Sequence, residues 1–298
     1  MDYSKGPPPP YSFAGSTVQF QQQPQFQPQL QPQFQQPQYQ QPQFQQQQQQ
    51  QYLPPPQPLP QIPRQFPPAF NMYRASGLGN RHYTLGEHQK TPVYAISLHS
   101  GLSGQPDVVL HNGPQSSLPP LAAAEKSAWS SRGTVYLPPL PGAAVGKKGA
   151  AEERFENGGG LGHRTFSFAV EVGGGGGVGQ REMFEWRHSK GGAVKGLDGR
   201  SGGWKLVRLA MGPPVGVDGA GFVQGVERGS DGREVVAVWA GASGSLSKIL
   251  KFQFLGSGAS GLLGERWAIM AVMTGLKIWD IERRARQAAS ASSGGGGA

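Results

Sequence analysis

The chain has 298 residues, a formal net charge of +9, 46 glycines, 27 prolines and no cysteine. The absence of cysteine rules out disulfides, a thiol nucleophile and thiolate metal sites, and it fits a reducing compartment. The positive charge permits attraction to phosphate-bearing partners such as anionic lipid or nucleic acid, and it equally suits a soluble protein with a basic bias.

Residues 1–75 carry only Asp2, Lys5, Arg64 and Arg74 as charges and are dominated by Gln and Pro. Such a segment buries too little apolar surface to offset its ordering entropy, so a disordered tail is expected. It opens Met-Asp-Tyr-Ser-Lys-Gly with no apolar run behind it, and no secretory leader is expected. Pro8, Pro9 and Tyr11 complete a Pro-Pro-x-Tyr pattern, the kind of pre-extended ligand that aromatic-lined WW grooves take. A chance match in proline-rich sequence is the blander reading. Pro-Gln-Phe-Gln repeats from Pro24 to Pro42 precede a glutamine run; they suit either weak multivalent self-association or a passive spacer.

Beyond residue 75 the pattern changes to alternation. Residues 93–99 and 107–111 read as strands, and 118–127 as a short helix centred on Ala122 to Ala124. Residues 141–160 read as a long surface loop, with Glu152 and Glu153 solvated in it. In 165–172, Phe166, Phe168, Val170 and Val172 face one way against Thr165, Ser167 and Glu171. Phe184, Trp186 and His188 then alternate with Met183, Glu185 and Arg187. Residues 204–210 and 222–228 follow, and Asp231-Gly232 turns the chain into 233–240, where both faces are apolar. Leu250, Phe252 and Phe254 give a last strand, while the glycine clusters at 241–244 and 256–261 read as turns.

The run that follows, Arg266-Trp267-Ala-Ile-Met-Ala-Val-Met-Thr-Gly-Leu-Lys-Ile-Trp279, is apolar on every face of a helix and must be sheathed by protein or lipid. It extends to Ile281, short of the roughly twenty residues that span a bilayer, and it carries Lys277 and Asp280. Burial in protein is the expectation, with no transmembrane segment. About eight to ten strands before one buried helix predict a mainly β fold, a closed antiparallel barrel around its own C-terminal helix. The domain is placed at residues 76–287, the helix at about 264–287, and 288–298 as a disordered Ser/Gly tail.

On that helix and the strands before it, the chain resembles the tubby-like C-terminal fold, which groups tubby domains, LURP-one-related proteins and phospholipid scramblases. Pro106-Asp-Val-Val-Leu-His-Asn-Gly113 and Phe184-Glu-Trp-Arg-His-Ser189 are also similar to segments of uncharacterised fungal tubby-like proteins. The likeness covers residues 83–286. It implies a barrel of about twelve strands threaded by a hydrophobic helix. It also implies affinity for phosphoinositide head groups through basic side chains. A scramblase's acidic calcium segment has no counterpart here, since Asp280 and Glu282 alone are too few.

Motifs for catalysis are weak. Gly174-x-Gly176-x-x-Gly179 matches a dinucleotide fingerprint, but a strand rather than a helix follows it, so it reads as a hairpin loop. The six histidines match no zinc spacing; His99 and His111 are placed to meet across neighbouring strands, and a hydrogen-bonded structural role is the blander and favoured reading. No catalytic residue, metal or cofactor is assigned. The candidate binding residues are Lys190, Lys195, Arg200, Lys205 and Arg208, clustered around a glycine-rich connection. Near a membrane each charge contributes about 1 kcal/mol toward anionic lipid, and the alternative is a merely solvated loop. The expectation is a non-enzymatic binding or adaptor protein that contacts anionic phospholipid or protein partners. It is placed in the cytoplasm or at a membrane periphery, with the nucleus as an alternative. The competing readings are a scramblase-like lipid translocator and a nucleic-acid-associated regulator with a Gln-rich tail; no nucleic-acid motif favours the latter.

Overall fold

In a computed structural model the described residues are 66–75, 81–100, 103–126, 132–140, 150–159, 164–173, 180–197, 202–214, 225 and 227–293. The first six strands are β1 (Ala69–Arg74), β2 (His82–Gly86), β3 (Tyr94–Leu98), β4 (Val108–His111), β5 (Pro120–Lys126) and β6 (Arg132–Leu137). They are followed by β7 (Ala151–Gly158), β8 (Thr165–Val172), β9 (Gln180–Ser189), β10 (Gly203–Arg208), β11 (Val235–Gly241) and β12 (Lys248–Phe254). Three helices complete the described part: α1 (Gly192–Gly196), α2 (Gly256–Ser260) and α3 (Glu265–Ser293).

Every strand pairs antiparallel with its sequence neighbours, and β1 pairs with both β2 and β12, so the sheet closes into a barrel. The closing seam is apolar on one face: Phe70 lies opposite Phe252 with stacked rings, and Met72 lies opposite both Leu250 and Leu85. The alternation read from the sequence sets the two faces. In β8, Phe166, Phe168, Val170 and Val172 are buried while Thr165, Ser167, Ala169 and Glu171 are not. Apolar side chains point inward and polar ones outward, the reverse of a barrel that faces lipid.

The lumen is filled by α3. Trp267 packs on Phe184 of β9 and Phe254 of β12, and Trp279 meets Tyr83 of β2 edge to face at 5.1 Å. Midway, Trp186 Nε1 of β9 donates to Thr274 Oγ1 at 2.9 Å, and that hydroxyl donates on to the Met270 carbonyl. Gly275 lets the helix approach the wall, since a Cβ there would sit 3.3 Å from Phe252 and 3.4 Å from Trp239. Partners on β2, β9, β11 and β12 line one side of the helix and β4, β5, β6 and β8 the other, and every residue from Ile269 to Asp280 is buried. None of the described helices is long and apolar enough to cross a membrane.

The fold class is as the sequence predicts, but several elements differ. Twelve strands form rather than the eight to ten expected. The barrel starts with β1 and the buried Phe66, inside the stretch assigned to the tail, because the apolar residues Phe70 and Met72 supply the closing strand. Residues 118–127 are not a helix. Ala122 and Ala124 face inward and Ala123 outward, and the small inward side chains leave room for α3. Pairing with β4 and β6 overrides alanine's helix propensity. Part of the expected 141–160 loop is β7, in which buried Glu153 and Phe155 alternate with exposed Glu152, Arg154 and Glu156. The glycines at 256–260 form the one-turn α2, and α3 runs on through the expected tail to Ser293. Most of the predicted 222–228 strand, like residues 1–65, lies outside the described residues. The apolar second face of β11 is also explained: Val194 and Leu197, on and just after α1, cover Val207, Val235 and Val238 on the outside of the barrel.

The join between barrel and helix should tolerate no added volume at Gly258. A Cβ there would lie 2.4 Å from the Val236 carbonyl oxygen and 2.5 Å from the Trp267 ring. Gly258→Ala should cost about 1–3 kcal/mol in urea unfolding. Gly192→Ala, where a Cβ meets nothing within 4 Å, should be neutral or stabilising; equal losses at both sites would refute the tight join.

Candidate functional site

An antiparallel meander delivers alternate strand ends to the same mouth of a barrel. The ends of β1, β5 and β9 and the starts of β6, β8 and β12 therefore share one rim. Trp279 against Tyr83, and Arg284 Nη2 donating to the His99 carbonyl at 2.8 Å, show that α3 leaves through this distal mouth. Arg74, Lys126, Arg132, Arg164, Lys190 and Lys248 all sit there, joined by Arg283, Arg284 and Arg286 of the helix. Glu152, Glu153, Glu171, Glu182, Glu234 and Glu265 gather at the opposite, proximal mouth. The sheet thus sorts charge, with an excess of cations around the end of α3 and, around its start, more carboxylates than the paired Arg181, Arg208 and Arg266 balance.

Both mouths pin the helix. At the proximal mouth Arg266 reaches Glu153 at 2.7 Å, Glu171 at 2.9 Å and the Pro138 carbonyl at 2.7 Å. Arg181 shares the same two carboxylates, and their hydrogen bonds raise its affinity for its proton above the ordinary value. Toward the distal mouth, buried Lys277 donates to Asp107 Oδ2 at 2.5 Å, and Arg284 approaches the other Asp107 oxygen at 3.2 Å. Asp280, fully buried, accepts from Arg283 at 2.7 Å and Arg284 at 2.8 Å. Burial alone would raise the Asp107 pKa. The Lys277 hydrogen bond and charge, with Arg284, outweigh burial and hold the carboxyl below its ordinary range.

Around the helix exit lie three hollows. The largest, 940 Å³, runs between the hairpin linking β11 to β12 and the root of the projecting end of α3. Arg74, Arg164, Lys248 and Arg286 line it, with Trp204, Trp239 and Trp279. The one carboxylate among its described lining residues, Glu282, accepts from Trp204 Nε1 at 2.9 Å and faces Arg286 at 3.7 Å. A 290 Å³ slot beside it has Phe155, Phe166 and Ile281 as walls and Lys126, Arg132 and Arg164 among its lining cations. A 260 Å³ hollow lies between His99 and Arg283. Burial holds the His99 imidazole below its ordinary pKa, which favours the neutral ring at pH 7.

The residues singled out from sequence divide. Lys190, just past β9, and Lys195, on α1, are exposed on the connection that begins and ends at the distal mouth. Lys205 is half-buried on β10, opposite Arg187 and Val238. Arg208 leaves the set: it is 1% exposed, and its guanidinium donates to both Glu182 oxygens at 2.6 and 2.7 Å. Its inward face on β10 placed it there. Arg200, Pro8, Pro9 and Tyr11 lie outside the described residues. Glu153, expected in a solvated loop, is buried and paired with Arg266. His99 and His111 do not meet, because His99 lies beside Asp107 at one end of the β3–β4 pair. His111, near the other end, bonds Ser97 Oγ and the Leu118 carbonyl, both at 2.9 Å. The glycine-rich fingerprint is followed by strand β9. Among the described residues no cluster of three or more His, Cys, Asp or Glu could hold a metal ion.

The cleft cations escaped the sequence reading because they are far apart in the chain. Only Lys277 and Asp280, charges inside an apolar helix, signalled partners within the barrel. No family model matches the chain, and no curated protein or solved structure matches it.

A buried pair that loses one member leaves an uncompensated charge, so Asp107→Ala should cost about 3–5 kcal/mol in chemical unfolding. Asp107 has a depressed folded pKa, so its contribution is complete above the unfolded value of 3.8 and is lost as pH falls through the lower folded value. Melting temperature should therefore fall with acid below about pH 4, and this acid limb should flatten in Asp107→Asn. An unchanged limb would remove Asp107 from the acid response.

Proposed function

We propose that this protein is a non-catalytic, tubby-like binding protein that engages anionic phospholipid through the distal mouth of its barrel. The observation that carries the reading is the sorting of charge. Cations from β1, β8, β12 and the end of α3 meet at one rim, and the exposed Lys190 and Lys195 lie on a connection rooted in that rim. Among the described residues the carboxylates at this mouth are already engaged, Asp107 by Lys277, Asp280 by Arg283 and Arg284, Glu156 by Arg132, Glu125 by the Tyr136 hydroxyl, and Glu282 by Trp204 and Arg286. An approaching phosphate therefore meets a net positive field, and low-dielectric aromatic walls focus such a field. The resemblance to tubby-like proteins points to the same ligand class. Catalysis has no comparable support, since the buried carboxylates are engaged in structural contacts, Asp107 and Glu153 with α3, Glu182 with Arg208, and Glu234 with Ser257.

Vesicles containing phosphoinositide should pellet the full-length protein, and neutral phosphatidylcholine vesicles should not. Retention should fall as salt rises, because exposed charges are screened. Reversing Lys190, Lys195 and Arg200 together to Glu should abolish pelleting, since each lost attraction is worth about 1 kcal/mol and each new carboxylate repels. Equal retention on neutral vesicles, or none on either, would overturn the reading.

A further inference from the structure

We infer that the large cleft beside the end of α3 is a site for one molecule of an anionic amphiphile. The anion would be held by Arg74, Arg164 and Lys248, and the apolar part would lie against Trp279 and Leu246. This rests on the anionic-lipid chemistry proposed above, but it needs a single molecule rather than a membrane surface.

Size is the first argument. At 940 Å³ the cleft falls within the range of about 300–1,000 Å³ typical of small-molecule sites. Charge is the second. Among the described lining residues the only carboxylate, Glu282, is occupied by the Trp204 indole and by Arg286. Arg74, Arg164 and Lys248 have no carboxylate partner among the described residues. Lys248 instead lies 5.8 Å from the Tyr73 ring centroid. An anion in the cleft would meet cations not already neutralised, and such charge-assisted bonds are the strong ones.

The apolar half of the argument is equally local. Trp239 and Trp279 lie in the wall together with Ile249. The Trp239 indole N–H is buried and donates to nothing among the described residues, which is uncommon for a buried polar atom. Leu246 is 98% exposed on the hairpin that forms the lip, in a connection otherwise built of Gly, Ala and Ser. A lone exposed leucine is ordinary on a protein surface. At the rim of a cation-lined cleft it supplies the apolar contact that a hydrocarbon chain requires. The cleft itself is shaped for one molecule. Residues 285–292 of α3 are exposed and continue past the mouth, so a helical stalk stands beside the cleft.

The test uses the full chain and isothermal titration calorimetry. The probes are dioctanoyl phosphatidic acid below its micellar concentration, dioctanoyl phosphatidylcholine, octanoate and inorganic phosphate. Phosphatidic acid should bind saturably at one site, octanoate more weakly, and the zwitterion and inorganic phosphate not detectably. Reversing Arg74 and Lys248 to Glu should weaken phosphatidic acid by about tenfold or more. Leu246→Ser should weaken it by roughly threefold to fivefold, and both variants should keep the parent melting temperature. Equal binding of the zwitterion, equal competition by inorganic phosphate, or indifference to both variants would each overturn the site. Anionic vesicles separate the two ideas. Pelleting that ignores the cleft variants, without monomer binding, would remove the cleft and keep the membrane reading. Monomer binding without pelleting would do the opposite.

Discussion

The fold depends on a mutual requirement between one helix and the sheet around it. A helix that is apolar on all sides cannot face water, and α3 is buried continuously from Ile269 to Asp280. A barrel of twelve strands, in turn, is wider than its own side chains can fill; barrels of about eight strands are the ones that pack solid. Each element supplies what the other lacks. The inward aromatics of β9 and β12 close on Trp267, and the small side chains of Ala122 and Ala124 give the helix its clearance.

Hydrophobic contact alone would let a smooth rod slide or rotate. Direction and depth come from the ionic anchors. Arg266 is fixed at one mouth by Glu153, Glu171 and the Pro138 carbonyl, while near the other Lys277 is fixed by Asp107 and Arg284 by Asp107 and the His99 carbonyl. Between them the Trp186–Thr274 bond sets rotation. Buried ion pairs are poor sources of net stability, but removing one partner is costly. Their contribution here is to make one axial register far better than its neighbours.

The same anchors explain the external chemistry. Asp107 near the distal mouth is drawn into holding α3, and among the described residues Arg74, Arg164 and Lys248 at the rim of β1, β8 and β12 have no carboxylate partner. Internal pairing and external reactivity are therefore coupled, and the binding surface is what remains after the helix has been secured. Closure of the meander completes this, because it brings Arg74 at the end of β1 beside Lys248 at the start of β12.

The sequence by itself determined the local periods and their consequence. Alternation in Thr165–Val172, in residues 183–188 and in residues 250–254 specified half-buried strands, and the all-round apolar run from Trp267 specified a helix needing a sheath. Those two facts were enough for a closed barrel around a helix. They were not enough for β1, β5 and β7, whose composition is ambiguous: Pro120 and three alanines read as a helix, and Glu152, Glu153 and Glu156 read as a solvated loop. Only pairing with neighbouring strands decided them, because strand identity at short, weakly patterned segments comes from partners rather than propensity. The cleft is more remote still from any local signal. Arg74, Arg164, Lys248 and Arg286 are dispersed along the chain, and Arg208, which the sequence grouped with the surface lysines, turns inward to Glu182. Which cations share a rim and which are consumed inside follows from strand order and the alternation of side-chain direction, and those exist only once the barrel has closed.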